Sequence, residues 1–243
     1  MFTKIKFCLF VAVLAFASLC GAESYQEYKS PDGRSLTARP TGVYGDKVTL
    51  EFRDGRTMNV DLSFFAEEDA SRLKSWAIQY LAKTNQLLEV TVDRKDDKIK
   101  EYKKDVSLVG GGVAKEAMEI IEIAGYYEVE LTNKSQFDLT GVKVEYRIFS
   151  EQDNRAKKDR HDVTYSRKGG TIEYHLQSQE TLEKKTEVIP LKETKLGKGI
   201  VWSGGGDLES EAKMIGVWLR VYAAGEMVFE YSKPTNLSED EDW

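Results

Sequence analysis

Gly45-Asp-Lys-Val-Thr-Leu-Glu-Phe-Arg-Asp-Gly-Arg-Thr-Met-Asn-Val-Asp-Leu62 decides how the first part of this chain folds. Val48, Leu50 and Phe52 fall on one side of an extended strand, and Thr49, Glu51 and Arg53 on the other. Beyond Asp54-Gly55, the residues Met58, Val60 and Leu62 repeat the alternation. Two period-2 runs across Asp-Gly predict a β-hairpin closed by a type I′ turn, because that turn needs positive φ and Asp and Gly tolerate it. Upstream, Pro31-Asp32-Gly33 and Gly45-Asp46 mark further turns, and a short strand over 35–39 lies between them. Downstream the period changes. Leu73, Trp76, Ala77, Tyr80 and Leu81 line one face of a helix, with Glu67, Glu68 and Asp69 at the end where the macrodipole favours acids. A small β-module of this length is marginal alone, so the helix is expected to supply apolar cover.

These residues carry a family resemblance. The stretch from Tyr28-Lys-Ser-Pro-Asp-Gly33 to Ala38, then Gly45-Asp-Lys-Val-Thr-Leu50, Asp54-Gly55, Asn59-Val-Asp-Leu-Ser63 and Glu67-Glu-Asp69, resembles the SLA1 homology 1 domain. The resemblance implies an SH3-like barrel that binds Asn-Pro-Phe-x-Asp peptides. It also brings the family's adaptor, ubiquitin-binding and cytoskeletal associations. Phe52, Arg53 and Met58 fall at or beside the positions that resemble the family's peptide groove, so they are the candidate peptide-binding residues. Phe52 stands where the peptide-binding version resembles this chain with a Lys. A retained groove would therefore favour an apolar or aromatic peptide end over an acidic one. The same parity allows another reading, in which Phe52 points into the barrel with Val48 and Leu50. Ala66 replaces a commonly found Ser before Glu67, which removes an N-cap hydrogen bond.

The second module alternates in strand fashion. Tyr127, Val129 and Leu131 interleave with Glu128, Glu130 and Thr132. Val142, Val144, Tyr146 and Ile148 interleave with Lys143, Glu145, Arg147 and Phe149, and Val217, Leu219 and Val221 with Trp218, Arg220 and Tyr222. One apolar face per strand predicts an antiparallel Ig-like β-sandwich, the fold of each sheet burying one side only. The fold class expected is mainly β: a small SH3-like barrel followed by a helix, then the sandwich. The expected divisions are a signal segment at 1–22, the barrel and helix at 23–88, a charged and Gly-rich connector at 89–115, the sandwich at 116–236 and an acidic tail at 237–243. The connector rests on the dense mixed-sign charges from Arg94 to Asp105, read as a solvated loop or ribbon, and on Gly110, Gly111 and Gly112, while residues 88–92 also read as a first strand of the next domain.

Lys4 and Lys6, an apolar run over 7–19 broken only by Ser18, and small residues Cys20 and Ala22 before Glu23 form a secretory signal pattern. That run is shorter than the roughly 20 residues that span a bilayer. The expected location is secreted or periplasmic, after cleavage near Ala22. Of 35 Lys+Arg, the leader holds Lys4 and Lys6, which leaves 33 against 41 acids and a net charge of −8. An acidic chain lacks the positive field that supplies most sequence-independent nucleic-acid affinity. Both cysteines, Cys8 and Cys20, lie in the leader, so disulfides, thiolate metal sites and Cys nucleophiles drop out of the mature chain.

Other chemistry is equally sparse. His161 lies among Lys157, Lys158, Asp159, Arg160 and Asp162, and His175 lies in a strand-like run. There is no HExxH, GxSxG or P-loop spacing. Gly204, Gly205 and Gly206 before Asp207 lack the trailing Lys-Ser/Thr of a phosphate loop. Asn133-Lys-Ser135 and Asn236-Leu-Ser238 are formal glycosylation sequons. No catalytic residue, metal site or cofactor is expected. The expected function is a non-enzymatic protein-binding or adaptor protein of the cell envelope, its partner a protein or peptide. Nucleic acid and a membrane span are not expected. The alternative is a structural envelope subunit that self-associates through its sandwich as a homo-oligomer.

Overall fold

A computed structural model describes residues 24–153, 163–201, 208–237 and 243. The expected signal segment, His161, Gly204–Asp207 and most of the acidic tail lie outside the described residues. The described chain is mainly β, with three antiparallel sheets and one α-helix. The first sheet is a meander of β1 (Gln26–Lys29), β2 (Ser35–Tyr44), β3 (Lys47–Phe52) and β4 (Thr57–Asp61), with β1 and β4 at its edges. Val48 pairs with Val60 and Leu50 with Met58, so the expected alternation places its apolar members on one face. The turn differs from the expected type I′. Phe52 N–H donates to the Arg56 carbonyl and Gly55 N–H to the Phe52 carbonyl, closing a three-residue loop in which Gly55 takes φ +84°. Asp54 keeps ordinary φ because its carboxylate accepts from the Arg56 N–H at 3.1 Å, which favours the longer loop. Pro31-Asp-Gly33 uses the same closure between Ser30 and Arg34.

Helix α1 (Glu67–Lys83) buries Leu73, Ala77, Ile78 and Leu81, while Trp76 and Tyr80 stack with centroids 5.1 Å apart. Ala66 gives the helix no side-chain cap. Its start is tied down instead by β1, since Lys29 N–H donates to the Asp69 carboxylate at 2.7 Å and Ala66 N–H to the Lys29 carbonyl at 2.7 Å. At the other end Asn85 takes φ +55°, and Gln86 N–H reaches back to the Leu81 carbonyl, a Schellman closure built on Asn rather than Gly.

Residues 89–115 differ from the expected connector. β5 (Leu88–Ser107) pairs with β6 (Val113–Asn133) from Leu88↔Asn133 to Ser107↔Val113, so the second module begins at Leu88 rather than 116. The mixed-sign charges stabilise this ribbon rather than loosening it. Lys95 pairs with Glu128, Lys115 with Asp105, and the Tyr102 and Tyr126 hydroxyls donate to Glu122 and Asp97. Gly110, Gly111 and Gly112 form its tip at φ near +98°, +97° and +100°.

The far edge of β6 is paired by β9 (Thr181–Lys185) and β10 (Ile189–Leu196) in tandem, with β11 (Glu209–Ser210) beyond β10. Thr186 bridges the gap, its N–H donating to the Tyr127 carbonyl and its hydroxyl accepting from the Tyr127 N–H. The third sheet has the order β13 (Glu226–Lys233), β12 (Ala212–Ala223), β7 (Leu139–Asp153), β8 (Val163–Leu176). Its inward Val144, Ile148, Leu219 and Val221 share one core with Val129, Leu131 and Leu191 of the β6 sheet. Hydrogen bonds also cross between the layers, from the Tyr174 hydroxyl to the Val129 carbonyl at 2.7 Å and from Glu187 N–H to the Tyr146 hydroxyl at 2.9 Å. The first module joins the same core through α1 and Leu87, whose carbonyl accepts from Lys134 N–H.

This core has a pH signature. Burial pushes the Tyr127 phenol up to about 12 and raises that of Tyr174 as well. Above pH of about 10 the phenols of the unfolded chain release protons that the folded protein still holds. The unfolded state then binds fewer protons, so stability is full below about pH 10 and declines as pH rises toward 12. Urea melts from pH 8 to 12 are expected to show that decline, and Tyr174→Phe to flatten it. A pH-independent midpoint would contradict the assignment.

Candidate functional site

A groove opens on the first module where β4 runs into a short 3-10 turn. Asp61 sets that turn by accepting from Ser63 N–H at 2.8 Å, and Phe65 N–H closes it onto the Leu62 carbonyl. The turn splits two adjacent aromatics. Phe65 goes inward at 4% exposure, edge-on to Tyr28 with centroids 5.9 Å apart, while Phe64 is left 66% exposed. Phe64, Phe65, Leu36, Val60 and Met58 line a groove of about 560 Å³, with Arg34 as its cation. Met58 is 47% exposed there. Exposed Met and Phe beside one another make a surface that gains from being covered. The β4 edge beside them is unpaired by any other described strand, so backbone donors and acceptors adjoin the apolar surface.

The three candidate residues separate. Met58 lines the groove; Phe52 and Arg53 do not. Phe52 lies opposite the buried Ala38, on the face of Val48 and Leu50, and is packed half-buried against the core. Arg53 lies in the loop beyond β3, its guanidinium 5.8 Å from the centre of the Tyr25 ring. There the Tyr25 hydroxyl donates to Glu51 at 2.9 Å and Arg39 pairs with the same carboxylate at 2.8 Å. These hydrogen bonds from Tyr25 and Arg39 hold the Glu51 carboxyl below its ordinary range. Arg34 is likewise engaged, by Asp32 at 2.8 Å, and its hydrogen bond lowers the Asp32 carboxyl. Phe64 and Leu36 went unread in the sequence. The signal for Phe64 was the Phe64-Phe65 doublet after Asp61, since neighbours leaving a tight turn point in different directions.

Elsewhere, acidic crevices line β10, β11 and β12, but ion pairs bridge them, Lys195 to Glu209 and Lys213 to Glu151 at 2.7 Å. Among the described residues, no group of three or more His, Cys, Asp or Glu could hold a metal ion, and no helix is long and apolar enough to cross a membrane. His175 is exposed, its Nδ1 accepting from Gly141 N–H at a long 3.4 Å. Asn133 is fully buried and its side-chain nitrogen donates to the Phe137 and Gln177 carbonyls, so the first sequon serves the fold. No protein-family model, curated protein or solved structure matches this chain.

Proposed function

We propose that this protein is a non-enzymatic peptide-binding protein that acts outside the cytoplasm, its first module holding the partner and its larger module serving as the scaffold. The first module is an SH3-like barrel of the kind the SLA1 homology 1 resemblance implies, a reading supported by the four-strand meander, the bulge in β2 at Pro40/Gly42 and the 3-10 turn. The larger module is an Ig-like sandwich, supported by its two facing antiparallel sheets. The observation that carries the function is the groove holding exposed Phe64 and Met58 beside the open edge of β4. An extended peptide lying along β4 would place one apolar side chain among Leu36, Met58 and Phe64.

Burying such a side chain contributes roughly 1.5–3 kcal/mol, or about 10- to 150-fold in affinity. Phe64→Ala and Met58→Lys are therefore expected to weaken a peptide selected from an array by at least about tenfold, and Arg53→Ala to leave it unchanged. Fluorescence anisotropy with the labelled peptide reads both. Equal affinity for wild type and Phe64→Ala would remove the groove from the function. Self-association by strand pairing along β5 is opposed by the five lysines that this edge carries.

A further inference from the structure

The outer face of the third sheet holds a second aromatic site, unrelated to the groove. Strand alternation assigns Trp218 to the solvent side of β12, yet it is only 4% exposed. Its cover is Trp243, whose ring meets it edge-on with centroids 4.9 Å apart and an interplanar angle of 79°. Two cations converge on the same Trp243 ring, Arg220 at 4.3 Å and Arg147 at 4.9 Å from its centre.

The sheet itself builds this arrangement. Register places Arg147 directly across from Trp218, and Arg220 across from Glu230. Glu230 accepts from the Trp218 indole N–H at 3.0 Å and from the Arg220 Nε at 2.7 Å, which fixes both before any ring is laid on them. A second observation shows the chain already crossing this face. A Cβ on Gly216, two residues before Trp218, would lie 2.8 Å from the Lys233 carbonyl oxygen and 2.9 Å from Leu237, so the 233–237 segment rests directly on β12. The residues before Trp243 in sequence are Glu239-Asp-Glu-Asp242, opposite in charge to Arg147 and Arg220.

We propose that Arg147, Trp218 and Arg220 form a binding site for a tryptophan that follows acidic residues, and that Trp243 of the same chain fills it. Cation–π attraction from two guanidiniums and an edge-to-face indole contact select the aromatic ring, and the acids add long-range attraction. A chain ending at 237 exposes the site.

The test uses a fluorescein-labelled, end-capped peptide, Ser-Glu-Asp-Glu-Asp-Trp, and its counterpart with Ala in place of Trp. The chain ending at 237 is expected to bind the Trp peptide at least tenfold more tightly than the full chain does, and at least tenfold more tightly than it binds the Ala peptide. Arg220→Ala in the shortened chain should lose that preference. Trp243→Ala in the full chain is the control should the shortened chain fold poorly, and it should open the site in the same way. Equal binding of the Trp and Ala peptides, or no binding to either opened chain, overturns the proposal. Concentration-dependent dimers of the full chain that vanish in Trp243→Ala would place the ring in a second copy and overturn the intramolecular assignment.

Discussion

Asn133→Ala is expected to destabilise the protein by about 3 kcal/mol or more. The side chain is fully buried at the end of β6 and spends both polar atoms on the loop to β7 and the turn after β8. Its Nδ2 donates to the carbonyls of Phe137 and Gln177, each at 2.8 Å, and its Oδ1 accepts from the Ser135 N–H at 3.0 Å and hydroxyl at 2.7 Å. Alanine removes all four hydrogen bonds at once; the Ser135 N–H loses this acceptor, while the Phe137 and Gln177 carbonyls keep the Ser135 hydroxyl and the Glu180 N–H, and each buried group left unpaired costs roughly 1–3 kcal/mol. Asn133→Asp should be worse, because it turns a carboxylate oxygen toward two carbonyls and buries a charge. For a chain of this size each kcal/mol moves Tm by roughly 2–4 °C, so a fall of about 6–12 °C is expected for the alanine variant. A drop below about 2 °C would contradict the network's role. In a glycosylating host Asn133 should stay unmodified.

Gly170→Val is expected to cost about 2–4 kcal/mol, from overpacking and one broken hydrogen bond. Gly170 on β8 pairs with Tyr146 on β7, and the Tyr146 ring lies over it; an added Cβ would be 2.4 Å from the hydroxyl oxygen and 2.6 Å from Cζ. The ring cannot move freely, since it is buried and its hydroxyl accepts from Glu187 N–H. The added side chain must therefore break the link between the two sheets or distort β8. A double-mutant cycle isolates the effect: in a Tyr146→Ala background, Gly170→Val should lose most of its cost. Full additivity would mean that the glycine answers to something other than this ring.

Much of this fold is legible in the sequence, because apolar alternation is written directly by one-sided burial. Val142, Val144, Tyr146 and Ile148, and Val217, Leu219 and Val221, are all buried as their spacing predicts, and α1 buries Leu73, Ala77 and Leu81. What sequence reading misses has two physical sources. Leu88, Val90 and Val92 alternate as a strand should, but beyond Arg94 the dense charges mask the continuation, which is stabilised by pairing with β6 and by charges that find partners across it. Phe149 and Trp218 sit on the nominally polar side of their strands and are still buried. For Trp218 the cover is Trp243, distant in sequence and silent in any local pattern. The site shows the same split. Met58 is a candidate only through the family resemblance, since its alternation with Val60 and Leu62 reads as a buried face, whereas Phe64 owes its exposure to a turn geometry set by Asp61. Arg53, adjacent to Phe52 in sequence, already lies in the loop beyond β3 and turns toward Tyr25.

The central claim, that the groove beside β4 receives a peptide, is tested most directly by amide chemical-shift mapping of the full chain with the tightest peptide from the array. The account predicts perturbations concentrated at Leu36, Met58, Asn59, Val60, Phe64 and Phe65, with the amides of β4 shifting in step with occupancy. Perturbations confined to the two-sheet module, or centred on Arg53 and Tyr25 with Phe64 unmoved, would contradict it.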